Sequence, residues 1–202
     1  MWVVKLGGSL QADPLLPQWL ELLAQLGGGR VTVVCGGGAF ADEVRRQQAH
    51  WRFDDVAAHN MAVLAMAQGA YMLRALNPAL QMVSNEAAIR RVLRKGQAAV
   101  WQPFELLREV PDANTNWDVT SDSIALALAQ RLNAERLVLV KSCAVDGSLS
   151  LPELGAAGVV DRRFAATAGE APFPIEIVHR EELARVRGLL LAGGAGLGAR
   201  QA

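Results

Sequence analysis

The chain has 202 residues, with 20 basic and 20 acidic side chains and a formal net charge of +0. This length predicts one domain, residues 1–202, and the balanced charge gives no support for binding to nucleic acid or to an anionic membrane surface. The two cysteines, Cys35 and Cys143, are too few for a disulfide framework, and the start of the chain lacks the pattern of an export signal, so we expect a cytoplasmic protein.

Short apolar segments alternate with longer helical patterns along the chain. The predicted strands are residues 2–6, 30–35, 80–84, 98–102, 136–141 and 175–179. The predicted helices are residues 14–26, with Asp13 as N-cap, and residues 38–50, 54–76 and 120–132. This alternation is typical of a mostly parallel sheet with helices on both faces, so the predicted fold class is α/β, a three-layer αβα sandwich. Residues 148–174, rich in Gly, Pro and Ala, are expected to be irregular.

Glycine clusters follow the first two predicted strands. Gly7 and Gly8 come after residues 2–6, and Gly36 to Gly38 come after residues 30–35. Glycine lets backbone N–H groups converge on an anion, and a following helix adds the positive end of its dipole. A tight turn between strand and helix would explain either cluster alone. Two clusters at two strand ends favour a phosphate site.

The segment GGGAFA, residues 36–41, also matches the G-x-G-x-x-A fingerprint of dinucleotide-binding proteins. That fingerprint expects an acidic residue about 20 positions later at the tip of the next strand. Asp54 and Asp55 have this spacing, but they lie at the start of a predicted helix. A second match, residues 194–199, leaves no room for a following strand. A dinucleotide-dependent oxidoreductase is therefore the weaker alternative.

Two of the three lysines in the chain, Lys5 and Lys141, stand at the ends of predicted strands, whereas 17 arginines are spread over the rest. Ligands of α/β sheets bind at the carboxyl ends of the strands. Asp118 and Asp122 lie between the two lysines in sequence, near the start of predicted helix 120–132. Helix capping alone would explain one of them. A carboxylate between two ammonium groups would hold both in place, and phosphoryl transfer depends mainly on such alignment and charge neutralisation.

Four segments, KLGGS (5–9), CGGG (35–38), TSDSIA (120–125) and KSCAVDG (141–147), resemble motifs of the amino acid kinase family in the same order. The resemblance implies an ATP-dependent kinase that uses Mg²⁺, acts on a small phosphorylated substrate and forms a homo-oligomer. It implies no metal-ligating side chains. It assigns catalysis to Lys5, Asp122 and Lys141, nucleotide and phosphate binding to Gly7, Gly8, Ser9, Asp146 and Gly147, and the substrate phosphate to Gly36, Gly37 and Gly38.

Within the family, residues 53–68 and 117–125 look most similar to the members that phosphorylate [5-(aminomethyl)furan-3-yl]methyl phosphate to its diphosphate in the biosynthesis of methanofuran-type one-carbon carriers. The implied substrate joins a phosphate to a primary ammonium, and Asp55, His59 and Asp118 are the candidates to bind its polar end. A purely structural role for His59 is the alternative. Uridylate and isopentenyl phosphate remain alternative substrates. The short segment after residue 147 also leaves open a non-catalytic ligand-binding protein.

Overall fold

The computed structural model describes residues 1–195 and contains a six-stranded sheet in which all neighbouring strands are parallel. The strands are β1 (Trp2–Leu6), β2 (Val31–Cys35), β3 (Gln81–Val83), β4 (Ala99–Trp101), β5 (Arg136–Lys141) and β6 (Ile175–His179). Their order in the sheet is β3-β4-β2-β1-β5-β6. The strand order reverses between β1 and β5, and parallel sheets bind ligands at such a reversal, beyond the carboxyl ends of the strands. Lys5 and Lys141 lie at this position.

Eight α-helices surround the sheet in the described part of the chain: α1 (Leu16–Leu26), α2 (Gly38–Trp51), α3 (Asp55–Leu76), α4 (Glu86–Arg94), α5 (Ser121–Arg131), α6 (Leu151–Ala156), α7 (Arg162–Thr167) and α8 (Leu183–Ala195). One buried cluster packs α1 and α8 against one face of the sheet, and a second packs α4, α5 and α7 against the other. Successive strand residues alternate between the two clusters, as Val3 and Val4 do. The α/β three-layer prediction is confirmed.

The predicted start of the first helix is wrong. Helix α1 begins at Leu16, and Asp13 is not its N-cap. The Asp13 carboxylate instead accepts a hydrogen bond from the backbone N–H of Leu15 at 2.9 Å and one from Arg180 at 2.5 Å. The first bond closes an Asx turn, which competes locally with helix formation, and the second is a contact that local sequence does not reveal.

The expectation of an irregular segment at residues 148–174 is also wrong, because this segment contains α6, α7 and a 3₁₀ turn at Ala168–Glu170. A capping box begins α6: Glu153 accepts hydrogen bonds from the backbone N–H and the hydroxyl of Ser150. Asp161 caps α7. Both caps are local signals for a helix, and helices form here in spite of the glycine and proline content of the segment. The 3₁₀ turns at Gly8–Ala12 and Phe104–Leu106 and helix α4 were not predicted.

Residues 196–199, the greater part of the second dinucleotide match, lie outside the described residues. Among the helices of residues 1–195, none combines the length and the apolar character that crossing a membrane requires.

Candidate active site

Lys5, Asp122 and Lys141 meet in one buried cluster. The Asp122 carboxylate lies between the two ammonium groups, with Oδ1 2.7 Å from Lys5 Nζ and Oδ2 2.5 Å from Lys141 Nζ. Only 4%, 3% and 8% of Lys5, Asp122 and Lys141 are exposed. Both lysines point to the sheet face that α5 covers, since they alternate in phase with the inward residues Val3 and Leu139. The first turn of α5 then places Asp122 between them.

The charges of this cluster do not balance, because two ammonium groups share one carboxylate. Burial by itself opposes ionisation of Asp122, but attraction by Lys5 and Lys141 outweighs it and holds the pKa of Asp122 below its ordinary value. Burial and repulsion by Lys5 lower the pKa of Lys141, against the attraction of Asp122. A buried centre with surplus positive charge is suited to an anion such as a phosphoryl group.

The two glycine loops touch each other backbone to backbone. A Cβ atom on Gly8 would lie 2.3 Å from the backbone nitrogen of Gly38, and one on Gly36 would lie 2.4 Å from that of Gly8. Gly38 also has a φ of 54°, in the left-handed region that favours glycine. Glycine is therefore required for the close approach of the loops, in addition to any contact with a ligand.

The backbone N–H groups of these loops fall into two sets. Those of Gly7 and Gly36 donate to the carbonyls of Val140 and Leu6, both at 2.9 Å, so these glycines support the sheet. Helix α2 starts at Gly38, and the N–H groups of a first helical turn have no acceptor within the helix. Together with the positive end of the helix dipole, they form an anion-binding arrangement.

A cavity of about 280 Å³, here called the glycine cavity, opens onto this helix start. Its lining includes Gly8, Ser9, Gly37, Gly38, Asp42, Arg45, Asp55, His59, Trp117 and Thr120. Asp55 accepts a hydrogen bond from Gln48 at 2.8 Å. His59 Nε2 lies 2.9 Å from the carbonyl oxygen of Leu106, and burial lowers the pKa of His59, which favours the neutral ring with its proton on Nε2.

A second cavity, of about 670 Å³ and here called the lysine cavity, contains the three charged side chains of the cluster. Residues 155–162 form much of its opposite wall. Asp118 lines this cavity, 3.5 Å from Arg162, and does not line the glycine cavity with Asp55 and His59. Trp117 and Thr120 line both cavities, so they form the boundary between them.

Asp146 and Gly147 lie in the exposed loop after β5 and line neither cavity. Hydrogen bonds from the hydroxyl and the backbone N–H of Ser148 lower the pKa of Asp146. The hydroxyl of Ser9 contacts that of Ser142, which joins the loops after β1 and β5.

Sequence reasoning missed the residues that hold Trp117 in place. The guanidinium of Arg45 lies 4.2 Å from the centre of the Trp117 ring, a cation–π contact. The Trp117 indole N–H donates to Gln48 Oε1 at 2.7 Å, and Gln48 in turn donates to Asp55. Helical spacing places Asp42 and Arg45 on one side of α2, but only the packing of residue 117 against that side reveals a cavity there.

Among residues 1–195, neither a cluster of metal ligands nor the buried thiol of Cys35 supplies an alternative centre. Residues 1–195 contain no group of three His, Cys, Asp or Glu side chains arranged to hold a metal ion. Burial raises the pKa of Cys35 to about 11, so its thiol stays protonated at neutral pH.

Comparison with known proteins identifies similar chains and folds. The sequence profile of the amino acid kinase family matches residues 1–147. The [5-(aminomethyl)furan-3-yl]methyl phosphate kinase of Methanocaldococcus jannaschii is 26% identical over 149 residues, which is 73% of this chain and 67% of that protein. A uridylate kinase from Archaeoglobus fulgidus has a similar structure, with a TM-score of 0.68 at 16% identity, covering 93% of this chain and 95% of that one. An isopentenyl phosphate kinase has a TM-score of 0.59 at 16% identity, covering 95% and 96%.

Proposed function

The chain belongs to the amino acid kinase family, and from this premise we propose that it transfers the γ-phosphoryl group of ATP to the phosphate of a small substrate. The observation that carries the proposal is the buried Lys5–Asp122–Lys141 cluster, with its surplus positive charge in the lysine cavity, which adjoins the glycine cavity. In this proposal ATP occupies the lysine cavity and the phosphorylated substrate occupies the glycine cavity.

The transfer needs little chemistry from the protein beyond alignment and charge neutralisation. An oxygen of the acceptor phosphate attacks the γ-phosphorus, the bond from that phosphorus to the bridging oxygen breaks, and ADP leaves with the bonding electrons. The second pKa of a phosphate monoester is near 6, so the acceptor is ionised at neutral pH and no general base is required. This agrees with Asp122, whose two oxygens are both engaged by lysines rather than free to accept a proton.

Each residue of the cluster has a separate role in this mechanism. Lys5 and Lys141 neutralise the charge that spreads over the transferring group, and Asp122 holds the two ammonium groups apart and in place. The first turn of α2 binds the acceptor phosphate through its N–H groups. Mg²⁺ would shield phosphate charge when bound with ATP, and the described residues contain no group of three His, Cys, Asp or Glu side chains arranged to hold it by themselves.

[5-(Aminomethyl)furan-3-yl]methyl phosphate is the acceptor that we propose, and the reaction would serve biosynthesis of methanofuran-type carriers in the cytoplasm. The Methanocaldococcus jannaschii relative supports this choice. The glycine cavity also combines an anion-binding end with two carboxylates, Asp42 and Asp55, that suit a primary ammonium. We propose that Asp55 and His59 form the end of the glycine cavity that binds the polar end of the substrate. Asp118 lines the lysine cavity, so we propose that it and Arg162 face the nucleotide instead.

An acceptor screen tests the function directly. Purified protein would be mixed with Mg-ATP and, separately, with the aminomethylfuran phosphate, UMP or isopentenyl phosphate, and the diphosphate product would be measured. We expect turnover with the aminomethylfuran phosphate and little with the other two. Turnover with UMP alone would indicate that the protein is a uridylate kinase, like its structural neighbour. ATP binding by calorimetry without turnover of any acceptor would indicate a non-catalytic protein, and tight binding of reduced nicotinamide cofactor would favour an oxidoreductase.

Substitution of Lys5 by arginine is expected to leave the fold intact and to lower kcat by about a hundredfold, the scale expected when one charged contact to the transition state is misplaced. A planar guanidinium prefers one fixed pose and is bulkier than the ammonium of Lys5, a residue that is only 4% exposed, whereas a rotatable ammonium can follow the moving group. Steady-state kinetics measure the loss, and circular dichroism checks the fold. Full turnover by the variant would remove Lys5 from the proposed mechanism.

We also propose that the protein forms a homo-oligomer through α3. Met61, Leu64 and Tyr71 form an apolar stripe along this helix, and their exposed fractions are 38%, 41% and 58%. The spacing of three and seven residues places them on one side of the helix. Light scattering should show an oligomer that Leu64→Glu dissociates, while Leu191→Glu, at an exposed leucine of α8, should leave the oligomer intact. A monomeric parent protein would refute the proposal.

A further inference from the structure

Asp161 accepts hydrogen bonds from two segments that are far apart in sequence. Its Oδ2 atom accepts from the Thr120 N–H at 2.9 Å, the Thr120 hydroxyl at 2.8 Å and the Ser123 N–H at 3.0 Å. Its Oδ1 atom accepts from the Phe164 N–H at 2.7 Å and from the Ser123 hydroxyl. Both oxygens are therefore engaged by protein donors.

The two sets of donors belong to the starts of two helices. Thr120 and Ser123 lie at the beginning of α5, and Phe164 lies in the first turn of α7. One carboxylate therefore caps both helices at once, although a capping side chain ordinarily serves only its own helix. The bond from the Arg163 N–H to the Asp118 carbonyl, at 3.1 Å, joins the same two segments at a second point.

The positions of these segments relate the double cap to the lysine cluster. Asp122 lies between Thr120 and Ser123 in sequence, so the donors on α5 flank the residue that bridges Lys5 and Lys141. On the other side, residues 155–162 wall the lysine cavity and end at Asp161 and α7. A shift of this wall would therefore be transmitted to the start of α5.

We propose that Asp161 is a positioning residue that couples the 155–162 wall of the lysine cavity to the placement of Asp122 between the two lysines. The coupling rests on the proposed function, in which this cavity takes ATP. Asp161 lines the lysine cavity but acts through α5 and not on the reacting atoms, since its two oxygens already accept five hydrogen bonds from Thr120, Ser123 and Phe164. Nucleotide binding against the wall would in this way hold the lysine–aspartate cluster in its working geometry.

Two substitutions and a matched control test the coupling. Asp161→Asn replaces one accepting oxygen by an NH₂ group that cannot accept, and Ser123→Ala removes one hydroxyl bond at a residue that lines neither the glycine cavity nor the lysine cavity. Asn85→Ala is the control, because Asn85 caps α4 through the Ala88 N–H at 2.9 Å and lies on another helix. For each variant, kcat, the KM for ATP, the KM for the acceptor and amide hydrogen exchange would be measured.

We expect Asp161→Asn to lower kcat by about tenfold and to raise the KM for ATP more than the KM for the acceptor, because a small displacement of a catalytic group has a large effect on rate. Amide exchange should become faster at residues 120–123 and 162–165 together. Ser123→Ala changes only α5, but it should also make amide exchange faster at residues 162–165 of α7. Asn85→Ala should change exchange only near residues 86–89 and leave the kinetics as they are.

Faster exchange confined to α7, with unchanged kcat and KM values, would show that Asp161 merely caps α7 and would overturn the coupling. Amide hydrogen exchange does not require turnover, so it tests the coupling independently of the proposed function. If the parent protein phosphorylates none of the acceptors but both segments lose protection together, the coupling stands and the proposed function fails. If Asp161→Asn does not fold, Ser123→Ala alone decides, through its effect on residues 162–165.

Discussion

Replacement of Lys141 by alanine is expected to lower kcat by about a thousandfold, the upper range for loss of one preorganised charge at a transition state. The free energy of unfolding should change by only about 1 kcal/mol, because Asp122 keeps its 2.7 Å contact with Lys5 and the repulsion between the two lysines disappears. This variant should therefore lose activity while it keeps most of its stability. Single-turnover kinetics and urea unfolding measure the two quantities.

Lys95 provides the matched control for this substitution. It is the remaining lysine of the chain, and it lies exposed at the end of α4. Lys95→Ala should keep both activity and stability, as surface substitutions usually do. If Lys141→Ala kept full turnover on the accepted substrate, the assignment of the transferring group to this cluster would be wrong.

The pH dependence of kcat/KM gives a second measure of Lys141. Burial and the charge of Lys5 lower its pKa below the usual 10.5 of a lysine, so the protonated form is lost at a lower pH than for an exposed lysine. The free enzyme should therefore lose kcat/KM on the alkaline side before pH 10.5 is reached. A rate that stays constant through that range would contradict an essential Lys141 ammonium.

Substitution of Asp122 by asparagine should have the largest combined effect on activity and stability. It leaves two buried ammonium groups beside each other without their shared carboxylate, and breaking a buried ion pair in this way costs about 3–5 kcal/mol. The pKa of Lys141 should fall further, so that kcat drops by at least about a hundredfold. Glu135→Gln, which removes an exposed carboxylate 3.1 Å from the N-terminal amine, should cost less than about 1 kcal/mol.

The pH dependence of stability gives the sign of the Asp122 contribution. Because the pKa of Asp122 is lower in the folded protein than its ordinary value of 3.8, its ionisation stabilises the fold above that value and ceases to do so as the pH falls through the folded pKa. Asparagine does not titrate. The difference in unfolding free energy between parent and Asp122→Asn should therefore be largest near neutral pH and shrink below about pH 4. A difference that grows on acidification would contradict the assigned ion pair.

The sequence by itself determined the class of the fold and the residue types of the site. Strands buried on both faces are nearly continuous apolar runs, so β1, β2 and β5 were recognisable locally, as were the glycine loops that follow β1 and β2. The motifs around Lys5, Asp122 and Lys141 were also sufficient to identify the family. The caps at Ser150 and Asp161 were local signals as well, but glycine and proline content obscured them.

The tertiary structure alone decided which of these residues meet. Lys5 and Asp122 are 117 positions apart in sequence, and their contact exists because β1 lies beside β5 and beneath α5. The tertiary structure also decided that Asp118 lines the lysine cavity rather than the glycine cavity. In the same way, it brought Arg45 against the ring of Trp117 and brought hydrogen-bond donors at the start of α5 to Asp161. Hydrophobic periodicity reports which side of an element is buried, whereas the neighbour that buries it depends on the packing of all the elements together.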